Sequence, residues 1–399
     1  MRKHKPDLLI VVMMVVLMAV GLIIIYAIGP AQAQFQNSLS GGNNFAENAF
    51  FVKQAVSVVM ALTAFFVAYK VPFEWMSKLS KWILVGGMLL CLSVVVLGVT
   101  GSGLAQCSLG ACRWINLPFG ATLQPVEILK LGVLLYMADL IVRRKKEGKL
   151  EKKELLVPMA VVMGAMVLLV AVLQKDLGST AVMILMVMCM LVVSGMRWRI
   201  LFAIGGALVV VVMGLVVAFP HRVERMMSFG GEGADTHHID NALLAIGKGG
   251  LFGVGVGNSV QATGYLPESI NDSIFAVLGE TFGFVGLMAV VMGFAILLSR
   301  LLRVAELSED GVNKLVAIGV FAWVGGHVII NIMGMTGLIP MKGITLPFLS
   351  YGGTSMMFVA IAMGICLQLS GWTKRKVDNE NIGGRRRERG ARYSSHRGY

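Results

Sequence analysis

Residues 8–28 read L-L-I-V-V-M-M-V-V-L-M-A-V-G-L-I-I-I-Y-A-I, an uncharged apolar run long enough to cross about 30 Å of hydrocarbon as a helix. Similar runs recur along the chain of 399 residues, of which 56% are hydrophobic and only 14% are charged. Soluble domains usually contain about 25% charged residues. The composition therefore excludes an ordinary soluble enzyme, a disordered protein and a disulfide-dense secreted scaffold.

The apolar runs predict an all-α polytopic membrane protein with about ten transmembrane helices. The predicted spans are about 8–28, 51–69, 82–100, 123–142, 155–173, 178–196, 200–219, 273–298, 315–338 and 347–371. These spans place the transmembrane domain at residues 1–372. Residues 373–399 are rich in arginine, which predicts a disordered basic tail.

Lysine and arginine are concentrated in alternate connections between the predicted spans. Basic residues fill the N-terminus, the loops near 70–81, 143–153 and 300–314, and the tail from Lys374 onward. Because basic loops tend to stay in the cytoplasm, this alternation predicts that both termini are cytoplasmic. Topology thus accounts for most of the formal charge of +13, and we expect no nucleic-acid partner.

The predicted topology leaves one long extracytoplasmic loop, at about 220–272, between helices 7 and 8. Residues 247–259 of this loop read G-K-G-G-L-F-G-V-G-V-G-N-S. Glycines at this density permit either a series of tight turns or a close approach of the backbone to a ligand. No strand and helix follow in the arrangement that a nucleotide-binding glycine motif requires.

Several cations depart from the charge bias because they lie on or near the predicted outer side: Lys53, Arg113, Lys130, Lys175, Arg222, Arg225, Lys248 and Lys342. Such a set suits a phosphate or pyrophosphate carried by a lipid. The alternative is that each cation pairs with a local carboxylate.

Glu127 and Lys130 lie inside a predicted span and are three residues apart, so they share a helix face and can form an ion pair. Each charge costs about 2.5–3.5 kcal/mol at the centre of a bilayer, so both side chains should face the bundle interior. The residues themselves leave a structural ion pair and a substrate contact equally open.

Asp272 lies at the outer tip of the eighth predicted span, and Glu280 follows on the same helical face. A carboxylate there can act as a general base if a substrate hydroxyl comes within hydrogen-bond reach. The alternative is that Asp272 caps the helix.

Two smaller features of the outer side also leave alternatives open. Cys107 and Cys112 share an external loop, where they either form a local disulfide or remain free. His237, His238 and Asp240 could bind a metal ion, although adjacent histidines are a weak signal for one.

The most specific pattern is N-I-M-G-M-T-G-L-I-P-M-K-G-I-T-L-P-F-L-S-Y-G-G-T-S at 331–355, which resembles the signature of the SEDS family of FtsW, RodA and SpoVE. The resemblance extends over the predicted spans through R-W-I at 113–115, Q-P-V-E-I-L-K at 124–130, D-L-G at 176–178 and L-P-E-S-I-N-D at 266–272. G-N-S-V-Q at 257–261 and the lysine at 342 resemble the FtsW branch most.

The resemblance implies an inverting peptidoglycan glycosyltransferase that polymerises lipid II at the outer face of the bacterial inner membrane during division. It implies Asp272 as the catalytic residue, with a divalent cation (Mg²⁺ or Mn²⁺) as a candidate cofactor there and no organic cofactor. Glu127 and Glu280 are expected to support the site. The residues expected to bind substrate are Arg113, Lys130, Ser259, Gln261, Glu268, Lys342 and Ser350.

The partners implied by the resemblance are lipid II, the undecaprenyl-pyrophosphate-linked glycan, a class B penicillin-binding protein transpeptidase and other membrane proteins of the division apparatus. Two other functions stay open at this point. A lipid II flippase would also be a polytopic bundle with charged residues between its helices. A non-catalytic scaffold of the division apparatus would not require Asp272.

Overall fold

The computed structural model describes residues 5–40, 45–101, 103–108, 111–117, 122–217, 234–259, 266, 268–340 and 343–373. Helices account for most of them: α1 Leu8–Ser40, α2 Ala49–Lys70, α3 Phe73–Val99, α4 Pro125–Lys146, α5 Lys153–Met166, α6 Leu177–Ser194, α7 Trp198–Val217, α8 Ala234–Gly249, α9 Ile274–Leu307, α10 Gly311–Met335 and α11 Gly353–Ser370. A π-helical segment, Val167–Leu173, continues α5. The predicted all-α class is confirmed.

Within these described ranges, 9 helices are long and apolar enough to cross a membrane. They correspond to every predicted span except the fourth, which is α4. Helix α4 has 22 residues, but it contains Glu127 and Lys130 and ends in Arg143, Arg144, Lys145 and Lys146. These charged residues explain why length and composition alone do not identify α4 as a membrane-spanning helix. The chain is a multi-pass membrane protein, and the number of ten spans stays a prediction.

Local sequence signals set several helix boundaries. Pro125 occupies the first turn of α4, where its missing N–H removes no helical hydrogen bond. The Asp176 carboxylate accepts a hydrogen bond from the backbone N–H of Ser179 (2.9 Å) and so caps α6. Gly195 ends α6 in the left-handed region, with φ 87°.

Polar contacts tie several helix ends together at one end of the bundle, which we call the basic end. The Asp7 carboxylate lies 3.7 Å from the Arg300 guanidinium. The backbone N–H of Asp7 donates to the Ser370 hydroxyl (2.9 Å). Lys145 Nζ donates to the Ser194 carbonyl (2.6 Å), which joins the ends of α4 and α6. The opposite end of the bundle is called the outer end below.

A small antiparallel sheet lies at the outer end, between α3 and α4. Its strands are β1 Ala105–Ser108, β2 Ala111–Asn116 and β3 Thr122–Leu123, paired in that order. Cys107 and Cys112 face each other across β1 and β2 and form a disulfide, which resolves the alternative left open by the sequence. A Cβ atom on Gly98 would overlap Sγ of Cys112, so this glycine lets the end of α3 pack against the disulfide.

The segment predicted as a long outer loop contains a helix. Helix α8 buries Ile239, Ala242 and Ala245 on one face and packs along α9. Its last residue, Gly249, lies so close to α9 that a Cβ atom there would overlap the Gly279 carbonyl oxygen. Residues 234–259 are therefore an ordered part of the bundle.

Helix α9 is broken at Gly283, where φ is 67° and ψ is −166°. The glycine-rich segment after α8 pairs with the backbone around this break. Val254 and Gly255 donate N–H groups to the carbonyls of Glu280 (2.9 Å) and Thr281 (3.1 Å), and Phe284 and Val285 donate to Gly250 (2.8 Å) and Leu251 (3.1 Å). These glycines therefore allow the segment to approach the backbone of α9 closely.

We predict that Gly249→Ala destabilises the fold by about 1–3 kcal/mol or more, because its methyl group would meet backbone atoms that cannot move aside freely. The effect would be measured as a lower midpoint of thermal unfolding in detergent. Gly247→Ala is the matched control on the same helix, since nothing lies within 4 Å of its added Cβ. Equal midpoints for the two variants would contradict the packing of α8 on α9.

Candidate functional site

Asp272 lies at the outer end, two residues before the first residue of α9, and is only 8% exposed. Its backbone is held by Asn331 of α10, whose side-chain Nδ2 donates to the carbonyls of Asp272 (2.7 Å) and Ile344 (2.6 Å). Ser273 occupies the N-cap position of α9. The carboxylate borders a narrow cleft that is also lined by Asn331, Gly334, Gly343 and Ile344.

Gly343 lies beside the Asp272 carboxylate. A Cβ atom added to Gly343 would lie 3.7 Å from Asp272 Oδ2, and Gly343 has φ 57°. A side chain at this position would strain the backbone and narrow the cleft beside the carboxylate. The positive φ therefore favours glycine at this position beside Asp272.

The L-P-F-L-S-Y stretch at 346–351 forms a tight turn that packs into the bundle beside this cleft. The Ser350 hydroxyl accepts a hydrogen bond from the Leu346 N–H (2.7 Å), and the Ser350 carbonyl accepts one from Gln54 Nε2 (3.3 Å). The Tyr351 N–H donates to the Ile270 carbonyl (2.8 Å), which connects the turn to the segment before Asp272. Ser350, predicted to bind substrate, makes bonds that shape the turn.

Lys130 is completely buried inside the bundle and makes three polar or aromatic contacts. Its Nζ atom lies 2.8 Å from Glu127 Oε1, 3.2 Å from His327 Nε2 and 5.4 Å from the centroid of the Trp323 ring. The structure thus brings Glu127 and Lys130 together as the ion pair that their spacing allows. His327 and Trp323 of α10 complete the cluster.

The geometry of His327 indicates which of its nitrogens carries hydrogen. Nδ1 lies 3.3 Å from the Thr345 carbonyl oxygen, which can only accept, so Nδ1 is the donor. Nε2 then accepts from the Lys130 ammonium in a neutral imidazole. The cluster is formally neutral, with one carboxylate and one ammonium, which lowers the cost of burying it.

The two clusters share one short segment of chain. Thr345 contacts His327 of the Lys130 cluster, and its neighbour Ile344 shares the Asn331 amide with Asp272. A change in the position of this segment would therefore alter the contacts of both Asp272 and the Lys130 cluster.

Glu280 is 1% exposed and lies on α9 just before the break at Gly283. Its carboxylate accepts a hydrogen bond from the hydroxyl of Ser259, at the end of the glycine-rich segment. The structure therefore joins two residues of the predicted site, one expected to bind substrate and one expected to support it. Their bond adds a side-chain link to the backbone pairing around the break.

Arg113 and Glu268 lie at the outer end and also contact protein groups. Arg113 on β2 donates to the carbonyls of Gln174 (3.1 Å) and Lys175 (2.9 Å), at the outer end of the π-helical segment. Glu268 is exposed and accepts a hydrogen bond from the Asn271 side chain. Arg113 therefore anchors the small sheet to the bundle.

Gln261 and Lys342, both predicted to bind substrate, lie outside the described residues, as do Arg222 and Arg225. Among the residues that are described, no group of three or more His, Cys, Asp or Glu side chains could hold a metal ion. Asp272 would supply one carboxylate to a cation, and Mg²⁺ commonly uses only one or two carboxylates together with substrate phosphates. Asp272 is thus the one predicted ligand for a divalent cation among the described residues, and the cation stays a prediction.

The candidate site also contains three residues that the sequence patterns did not identify: His327, Trp323 and Asn331. Each carries a polar group inside a predicted span, which is itself a signal for function or for a buried polar network. The three residues are four apart in sequence, so they lie along one face of α10. A search for polar residues at helical spacing within spans would have found them.

The Glu127–Lys130 contact predicts strong coupling between the two residues. Lys130→Met should destabilise the protein by about 3–5 kcal/mol, because it leaves a buried carboxylate without its cation. The double variant Glu127→Leu, Lys130→Met should recover much of that loss in denaturant or thermal unfolding. Strictly additive effects of the two single changes would contradict a structural ion pair.

Comparison with known proteins gives a family match over nearly the whole chain. The model of the FtsW, RodA and SpoVE cell cycle proteins matches residues 7–375. The stage V sporulation protein E of Bacillus subtilis is 32% identical over 379 residues, covering 94% of this chain and 99% of that protein. The probable peptidoglycan glycosyltransferase FtsW of Coxiella burnetii is 34% identical over 336 residues, covering 80% of this chain and 86% of that protein.

Solved structures share the same fold. A chain from a peptidoglycan synthase complex, described as coordinating polymerization and crosslinking, superposes with a TM-score of 0.72 at 22% identity, covering 92% of this chain and 97% of that one. The rod shape determining protein RodA of Thermus thermophilus superposes with a TM-score of 0.67 at 23% identity, covering 93% of this chain and 98% of that one.

Proposed function

The chain belongs to the FtsW, RodA and SpoVE family of cell cycle proteins, and we propose that it is a peptidoglycan glycosyltransferase that polymerises lipid II. The single observation that best supports this activity is the placement of Asp272. It is a carboxylate at the outer end of a membrane bundle, held by Asn331 on the edge of a narrow cleft.

In the proposed reaction, the 4-hydroxyl oxygen of an acceptor sugar attacks the anomeric carbon of a donor linked to undecaprenyl pyrophosphate. The new carbon–oxygen bond forms as the bond to pyrophosphate breaks, and the lipid pyrophosphate leaves as an anion. Asp272 takes the hydroxyl proton as general base, a role worth typically 10²–10⁴-fold in rate. A single displacement inverts the anomeric centre, so an α-linked donor gives a β-linked polymer.

The charge that develops on the leaving pyrophosphate requires cations or hydrogen-bond donors. Lys342 is the proposed cation, since it directly precedes Gly343 in the sequence and Gly343 lies beside the Asp272 carboxylate. Lys130 is already balanced by Glu127, so its proposed contribution is to position the Ile344–Thr345 segment through His327. The alternative to direct proton removal is that Asp272 would hold a Mg²⁺ or Mn²⁺ ion, which would supply charge to position the acceptor hydroxyl.

The proposed partner is a class B penicillin-binding protein transpeptidase, which would crosslink the new glycan. Support comes from the similar fold of a chain from a peptidoglycan synthase complex. The match to a family of cell cycle proteins supports the proposal that the chain acts at the division septum, together with other membrane proteins of the division apparatus. The membrane in question is the bacterial cytoplasmic membrane.

Asp272→Asn should lower the rate of glycan formation by about 10²–10⁴-fold, because it preserves the shape of the side chain and removes the base. The assay is polymerisation of purified lipid II in detergent, with the partner transpeptidase and Mg²⁺ or Mn²⁺ present. Asp240→Asn is the matched control, since it changes the same charge at an exposed position on α8.

Near-normal polymerisation by Asp272→Asn would contradict the proposed base. Detergent makes lipid II accessible without transport, so a flippase or a scaffold would give no glycan from the wild-type chain under any of these conditions. That outcome would contradict the proposed function as a whole.

A further inference from the structure

We infer that α8 and the glycine-rich turn after it form a re-entrant hairpin, whose tip at Leu251 and Phe252 inserts into the acyl chains of the outer leaflet. This contact with lipid is independent of the proposed transferase activity. A lipid surface is thus the partner of a region that the sequence predicts to be an external loop.

The direction of α8 follows from its contacts with α9. His238 near its start lies 2.9 Å from the hydroxyl of Ser273, the residue just before α9. Gly249 at its end meets the backbone of Gly279, and the Gly250 carbonyl accepts from the Phe284 N–H (2.8 Å). Helix α8 therefore runs beside α9 in the same direction, from the outer end into the bundle.

The depth of the tip can be measured along α9 from the basic end. Arg300 lies at that end, since it pairs with Asp7 (3.7 Å). The stretch from Phe284 to Arg300 rises about 24 Å at 1.5 Å per residue. With Arg300 taken as the inner boundary of a hydrocarbon core about 30 Å thick, Phe284 and the tip beside it lie roughly 6 Å inside the outer boundary.

The side chains at the tip fit this depth. Leu251 is 65% exposed and Phe252 is 79% exposed, and they continue the apolar surface that Phe284 and Val285 of α9 present to the outside of the bundle. In water this surface would be a large exposed apolar patch, whereas acyl chains cover it without cost. Lys248 on the exposed side of α8 has an aliphatic stem that can carry its ammonium outward to lipid phosphate.

The backbone of the turn also meets the requirement of a hydrocarbon environment. Irregular backbone is tolerated at membrane depth only where its polar groups are paired within the protein. The Gly253 N–H donates to the Gly249 carbonyl (2.7 Å), and Val254 and Gly255 donate to Glu280 and Thr281 of α9. A flexible loop in water would need none of these bonds.

The test is spin-label depth measurement on the full chain in vesicles of phosphatidylethanolamine and phosphatidylglycerol. Leu251→Cys and Phe252→Cys are labelled separately in a Cys189→Ala background, because Cys91 and Cys366 are buried and Cys107 and Cys112 are bonded to each other. Both positions should be more accessible to oxygen than to a water-soluble nickel chelate. Asp240→Cys, the control at an exposed position on the same helix, should show the reverse.

A second measurement uses the unaltered chain. A photoactivatable carbene on the lipid acyl chain should crosslink to the peptide containing residues 250–256, as identified by mass spectrometry. Nickel accessibility at Phe252→Cys equal to that at Asp240→Cys would overturn the inference by placing the tip in water. Shielding from both reagents would overturn it by showing that protein covers the tip.

Discussion

The outer half of the molecule depends on one constraint, which is that backbone N–H and C=O groups cannot be left unpaired in hydrocarbon. Helix α9 breaks at Gly283, within its membrane-spanning length, and the break frees several of these groups. The glycine-rich segment supplies their partners on both sides of the break. This explains why Gly249, Gly253 and Gly283 lie where a Cβ atom would overlap the facing backbone.

The same pairing organises the residues around the candidate site. It brings Ser259 to the Glu280 carboxylate and fixes α8 along the first turns of α9, immediately after Asp272. On the other side of Asp272, the Ile344–Thr345 segment connects Asn331 with the buried Lys130 cluster. Asp272 is thus held between two arrangements, one of paired backbone and one of paired charges, and such preorganisation would position it for the proposed role of general base.

Much of the fold could be predicted from hydropathy, because each long apolar run needs a helix to satisfy its backbone in the membrane. Asp272 and the Glu127–Lys130 pair were also predictable, since charges in or next to a span are costly and therefore few. Helix α8 was not predicted, because its buried face offers only one large apolar residue, Ile239, beside Ala242 and Ala245, and the following glycines resemble a flexible loop. The contacts by which Arg113 anchors the small sheet could not be predicted either, since its partners are backbone carbonyls 61 and 62 residues away in sequence.

Amide hydrogen exchange of the wild-type chain in a lipid bilayer would show whether the glycine-rich segment is paired with the broken helix. We expect the amides of Val254, Gly255, Phe284 and Val285 to exchange as slowly as those inside α10, since all four donate within the protein. Exchange of these amides at the rate of an open, water-exposed loop would contradict this pairing.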